Sequence, residues 1–176
     1  MMNDVKKMII TAECIALCLV LPMAFHAIPN AGSVISPMHI PVLLCGLVCG
    51  WPFGLVCGIA GPLLSSLITQ MPGMAYLPGM MLELSVYGLS TGICMKLIHT
   101  GHLSADLYIS LITGMLLGRV VAGFANALIF SAGSYSIAIW AGAYFVTAVP
   151  GIIIQLVLIP AVVIALEKAK LIPRRY

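Results

Sequence analysis

Nearly all the positive charges of this chain lie near its two ends or in one short segment between long apolar runs. Seven of its eight Lys and Arg residues lie outside the apolar runs, namely Lys6, Lys7, Lys96, Lys168, Lys170, Arg174 and Arg175. The eighth, Arg119, lies inside a run. Because segments on the cytoplasmic side of a membrane carry an excess of Lys and Arg, this pattern predicts a membrane-embedded chain with both termini in the cytoplasm.

The composition supports a lipid environment for most of the chain. Hydrophobic residues make up 62% of the sequence and charged residues 7%, with a mean hydropathy of +1.16. A soluble protein of 176 residues could not bury so much apolar surface. The net charge of +3 is divided among small separate groups, so no nucleic-acid-binding surface is predicted. We expect a single membrane domain over residues 1–176.

Glycine, proline and polar residues divide the apolar sequence into six predicted crossings, which form a compact all-α bundle of six transmembrane helices. The spans are 9–28, 38–50, 53–69, 77–97, 107–130 and 137–166. The stretch 38–69 could instead be a re-entrant hairpin, since both arrangements return the chain to the same side; two true spans are preferred. Pro150 and Pro160 predict kinks in the last span, and Trp140 and Tyr144 resemble interfacial anchors.

Four polar residues fall inside predicted spans: Glu83, Arg119, Asn126 and Gln155. Glu83 lies 13 residues from the inner end of its span at Lys96, and Arg119 lies 13 residues from the inner start of its own. At about 1.5 Å per residue, both are roughly 20 Å above the same surface. Because an unpaired charge at that depth is costly, we predict a Glu83–Arg119 ion pair.

Arg119 is also a candidate ligand contact. A guanidinium has five N–H donors and a carboxylate occupies two, so the remaining donors could meet an acidic ligand. Tyr87 shares the helical face of Glu83, and Asn126 shares that of Arg119. The predicted substrate-binding residues are therefore Arg119, Glu83, Asn126 and Tyr87 within the spans, and His26, Asn30, His39, Gln70 and Tyr76 in the outer loops.

Enzymatic and metal-binding motifs are not found in the sequence. The six cysteines lie in apolar runs without a C-x-x-C pair. There is no H-E-x-x-H, Walker phosphate loop or G-x-S-x-G motif. We predict no catalytic residue, no metal site and no cofactor.

Small residues spaced four apart predict close helix packing. Gly46, Gly50, Gly54 and Gly58 form such a stripe, which fits packing within the bundle. Ala12 and Ala16 form another in the cytoplasmic half of the first span. That notch could receive a helix of this chain or a helix of another protein.

Four segments of the sequence match a known family pattern: Ala12-x-x-x-Ala16, the run from Ile35 to Gly46, the segment from Gly61 to Pro72, and the stretch from Glu83 to Gly88. Together they resemble the substrate-binding S component of an energy-coupling factor (ECF) vitamin transporter. The similarity extends over essentially the whole chain. Within the family, the sequence most resembles the branch that contains pantothenate-type S components.

The resemblance implies a vitamin pocket near the extracellular face of a prokaryotic plasma membrane, roofed by the loop after the first span. It implies docking through Ala12 and Ala16 onto a transmembrane coupling subunit, with two cytoplasmic ATPase subunits completing an ABC importer. The chain itself is then not an enzyme, and it delivers its ligand by toppling in the membrane.

Other functions and other ligands remain open at this level. Pantothenate is favoured because Arg119 could meet its carboxylate, while other water-soluble vitamins and queuosine-type precursors are alternatives. A self-sufficient secondary transporter or channel would need a coupling-ion site or an inverted repeat, and neither is found. A purely structural assembly subunit is disfavoured by the polar outer loops.

Overall fold

The computed structural model describes residues 2–25, 31–130 and 136–173, excluding the side chains of Ala31, Ser33 and Phe130. Every regular element in these ranges is helical, so the predicted all-α fold is confirmed. The helices are α1 (Asp4–Ala24), α2 (Ala31–Val34), α3 (His39–Cys49), α4 (Trp51–Thr69), α5 (Leu77–Leu97), α6 (Leu103–Ala125), α7 (Ile137–Ala141) and α8 (Val149–Lys168). Short π-helical segments, Asn126–Phe130 and Gly142–Thr147, extend α6 and α7.

Four helices are long and apolar enough to cross a membrane by length and composition: α1, α4, α6 with its extension, and α8. The helix α3 and the segment Ile137–Thr147 are apolar but shorter. The helix α5 has 21 residues and carries the buried acid Glu83. The assignment of six crossings and the choice between two spans and a hairpin at 38–69 stay predictions.

The last apolar stretch, 137–166, differs from the expected continuous helix with a kink at Pro150. The π-helical extension of α7 ends at Thr147, and a new helix begins at Val149 with Pro150 in its first turn. Proline is well tolerated there because its missing N–H would have no partner within the helix. Pro150 therefore starts a helix, while Pro160 lies inside α8.

Both described ends of the chain lie at the same end of the bundle. Residues from the start of α1 and from the end of α8 line a shared cavity of about 460 Å³: Met2, Asn3, Lys6, Glu167, Lys170, Ile172 and Pro173. Lys7 lies 5.7 Å from the ring centroid of Phe53, near the start of α4. The basic terminal segments thus meet at one face, as the charge pattern predicted.

The predicted glycine stripe packs inside the bundle, where α4 and α5 approach closely. A Cβ atom at Gly54 would collide with the backbone of Gly88, and one at Gly88 would collide with Gly54. A Cβ atom at Gly58 would meet the carbonyl group of Leu84. In lipid, where apolar burial drives helix association only weakly, such backbone contact is a main source of packing energy. It fixes α5 and therefore the polar residues that α5 carries.

Candidate functional site

Two polar side chains on α5 begin the candidate site. Glu83 and Tyr87 lie one turn apart, and the hydroxyl group of Tyr87 donates a hydrogen bond to Oε1 of Glu83 over 2.9 Å. Tyr87 is fully buried and Glu83 is 8% exposed. Helical side chains lean toward the N-terminus of their helix, so the tyrosine ring reaches the level of the acid that precedes it.

The helix α6 adds Arg119 to this pair. Its Nε donates a 3.1 Å hydrogen bond to the hydroxyl oxygen of Tyr87, and the side chain is buried. The neighbouring Gly118 leaves room for the tyrosine ring, since a Cβ atom there would overlap it. The predicted direct Glu83–Arg119 ion pair is wrong, because the tyrosine hydroxyl occupies the position between the two charges and bonds to both.

The helix α3 supplies His39, whose imidazole ring lies close to the carboxylate of Glu83. Nε2 of His39 is 3.5 Å from Oε1 of Glu83, and the imidazole ring lies 5.2 Å from the Tyr87 ring. His39, which is grouped above with the outer-loop residues although the predicted span 38–50 contains it, is the first residue of α3 and is buried. Its other ring nitrogen, Nδ1, has no hydrogen-bond partner within the part of the chain that the structure describes.

An aromatic pair from α7 and its extension covers Arg119. Nε1 of Trp140 donates a 3.0 Å hydrogen bond to the backbone oxygen of Arg119, and the indole occupies space that a Cβ at Gly123 would need. Phe145 lies 5.6 Å from the guanidinium carbon and packs edge-on against Trp140. The sequence predicts Trp140 as an interfacial anchor, and Phe145 is not among the predicted site residues. The one available signal was Gly123, on the same helical face as Arg119.

The remaining predicted site residues lie around this cluster or away from it. Asn126 is half-buried and donates to the backbone oxygen of Ala122 (2.9 Å) and to the hydroxyl of Tyr144 (3.4 Å). Gln70 and Tyr76 are exposed in the turn between α4 and α5, and no described contact joins them to the cluster.

Two further predicted site residues, His26 and Asn30, lie outside the described residues.

One described cavity lies next to the cluster. It has a volume of about 330 Å³ and is lined by Val120, Gly123, Phe124, Ala127, Ser136, Ile137 and Trp140. This lining is almost wholly apolar and includes none of His39, Glu83, Tyr87 and Arg119. No group of three His, Cys, Asp or Glu side chains in residues 2–25, 31–130 and 136–173 could hold a metal ion.

The arrangement leaves Arg119 able to bind an anion. Only Nε of its guanidinium donates to a described residue, so the terminal Nη1 and Nη2 groups make no hydrogen bond within the described ranges. These two nitrogens form the planar fork that matches a carboxylate. Tyr87 holds the fork in place, and the close contacts of Glu83 are with Tyr87 and His39 rather than with the arginine.

Comparison with protein families decides what kind of protein carries this cluster. Residues 6–163 match the model of the ECF transporter, substrate-specific component. The chain belongs to this family. No curated protein and no solved structure gave a significant match. This ECF S component is thus a multi-span membrane protein and a non-enzymatic binding subunit, and its family works with an energising module.

Proposed function

We propose that this S component captures a small, water-soluble vitamin that carries a carboxylate, with pantothenate as the first candidate, at the extracellular side. ATP-driven partner subunits then complete the uptake. The observation that carries the proposal is the buried Arg119, held through Nε by Tyr87 while its terminal nitrogens have no described partner.

The electrostatics of the cluster favour an anionic ligand. A buried guanidinium without a directly bound carboxylate is costly at low dielectric. The carboxylate of Glu83 already accepts from Tyr87 and lies against His39, so it compensates the arginine only at a distance. A ligand carboxylate would complete the charge balance. Phe145 contacts the guanidinium from the side and adds a cation–π interaction without occupying its donors.

The depth of the cluster supports entry from the side opposite the chain termini. Glu83 lies six residues into α5 from Leu77, and Arg119 lies six residues before Ala125, where α6 passes into its π-helical extension. Glu83 is therefore about 9 Å from the start of α5, and Arg119 is about 9 Å from the start of that extension. Asn126, Gln70 and Tyr76, together with His26 and Asn30, stay predictions for the upper wall of the site.

The exposed face of α1 supports the proposed docking surface. Thr11, Cys14 and Cys18 form its buried face, whereas Ala12 and Ala16 are exposed. Two small side chains one turn apart allow a foreign helix to approach the backbone closely. We propose that a helix of the transmembrane coupling subunit packs here, and that this subunit connects the S component to two ATPase subunits.

Binding titrations with purified protein test the proposal. We expect nanomolar binding of pantothenate by the wild type and at least a hundredfold weaker binding by Arg119→Gln, because a charge-assisted bidentate contact is lost. Arg119→Lys should recover only part of the affinity, since an ammonium group cannot form the fork. Lys96→Gln, which removes an exposed charge from the other end of α5, is the matched control. Equal affinity of wild type and Arg119→Gln would refute the role of Arg119.

A further inference from the structure

The side chain of Gln155 on α8 is buried and has no hydrogen-bond partner among the residues that the structure describes. It is 0% exposed, and neither Oε1 nor Nε2 bonds to any group in the described ranges. The residue lies on the buried face of α8, between Gly151 and Ile159. Burying an unpaired amide costs folding free energy, so a partner that arrives after folding would account for its presence.

The position of Gln155 relates it to the cluster described above. A Cβ atom at Gly151 would collide with the backbone oxygens of Val34 and Ile35, in the segment before α3. Gln155 lies one turn, about 6 Å, further along α8, and His39 lies four residues after Ile35 in the chain. The helix α8 packs against both α3 and α6, which carry His39 and Arg119.

A second unpaired polar atom lies on α3, which packs against α8. Nδ1 of His39 is buried and has no partner among the described groups, while Nε2 of the same ring faces Glu83. The two ring nitrogens point in divergent directions, so Nδ1 is directed away from the acid. Two helices in contact thus each present an unpaired polar group in the outer part of the bundle.

We propose that Gln155 and Nδ1 of His39 bind an uncharged amide-type group of the substrate, while its carboxylate binds Arg119. The inference rests on the proposed function and names a second half of the same site. A carbonyl oxygen of the substrate would accept from Nε2 of Gln155, and an amide N–H would donate to Oε1 of Gln155 or to Nδ1 of His39. The preferred substrate class therefore carries both a carboxylate and an amide-type group.

The substitution Gln155→Leu separates a binding role from a structural one. Leucine has a similar volume and removes both unpaired polar atoms, so the ligand-free protein should unfold at a higher temperature. We expect pantothenate, which carries a carboxylate and an amide, to bind at least tenfold more weakly to this variant. Ile159→Val, one turn further along the same buried face, is the control and should lower stability but keep affinity within twofold.

Three results would overturn the inference. The first is an affinity of Gln155→Leu for pantothenate within twofold of wild type, and the second is loss of both stability and binding in that variant. The third is binding of nicotinate, which has a carboxylate but no amide, as tightly as pantothenate. If Arg119→Gln loses binding while Gln155→Leu keeps it, the proposed function stands and this inference fails. If the wild-type protein binds neither pantothenate nor biotin, which also carries a carboxylate, both the proposed function and this inference fail.

Discussion

Replacing Tyr87 by phenylalanine tests the arrangement of the buried cluster. The substitution removes one hydroxyl group, whose O–H donates to Glu83 over 2.9 Å and whose oxygen accepts from Arg119 over 3.1 Å. The ring itself would keep its packing against Gly118 and His39. The change in the free energy of unfolding therefore reports the two hydrogen bonds and little else.

The expected loss follows from these contacts. A hydrogen bond to a charged partner contributes about 1.5–3 kcal/mol net, so two contribute about 3–6 kcal/mol. The bonded atoms of Glu83 and Arg119 are at most about 6 Å apart, and their attraction at an effective dielectric of about 20 is about 3 kcal/mol. If the two charged groups moved to about 4 Å from each other in the variant, their attraction would rise to about 4 kcal/mol and offset about 1 kcal/mol of the loss. We expect Tyr87→Phe to lose about 2–5 kcal/mol.

Denaturant titration in mixed micelles, followed by circular dichroism, measures this loss. Tyr108→Phe on α6 is the matched control, because Tyr108 is 43% exposed and should change the free energy by less than about 0.5 kcal/mol. If Tyr87→Phe were as mild as Tyr108→Phe, the hydroxyl group would not connect the two charges and the description of the cluster would be refuted.

Three further predictions concern packing, the aromatic cover and docking. Gly88→Ala should lower the free energy of unfolding by about 1–3 kcal/mol through collision with α4, whereas Gly73→Ala, which has open space, should be near neutral; equal effects would contradict the packing. Trp140→Phe should lower the free energy of unfolding by about 1 kcal/mol, because the hydrogen bond to the backbone oxygen of Arg119 is lost. A denaturant titration curve identical to that of wild type would contradict that bond. Ala12→Trp should abolish uptake in cells and spare ligand binding, while Ala24→Trp at the other end of α1 keeps both; normal uptake by Ala12→Trp would refute docking at the notch.

Much of the fold was predictable because its determinants are local in sequence. Apolar runs and basic segments indicated a helical membrane bundle with both ends on one side. The glycine stripe indicated close packing, which the contact of Gly54 with Gly88 confirms. Counting residues along two antiparallel helices indicated that Glu83 and Arg119 lie at one level, and Tyr87 joins them there.

The details of the cluster depend on contacts between distant segments, which one sequence does not encode locally. The tyrosine lies between the charges because Gly118 leaves space for its ring. The aromatic cover of Arg119 depends on the π-helical segment after α7, which carries Phe145, and on the space at Gly123, which Trp140 fills. His39 reaches the acid because it is the first residue of α3, which packs against α5, the helix that carries Glu83.

Uptake by reconstituted liposomes tests the central claim most directly. The chain is inserted alone or together with an ECF coupling subunit and its two ATPases, and radiolabelled pantothenate is supplied outside. The account predicts accumulation only in vesicles that hold the complete complex and ATP, with binding but no transport by the chain alone. Transport by the isolated chain would show a self-sufficient carrier and contradict the account.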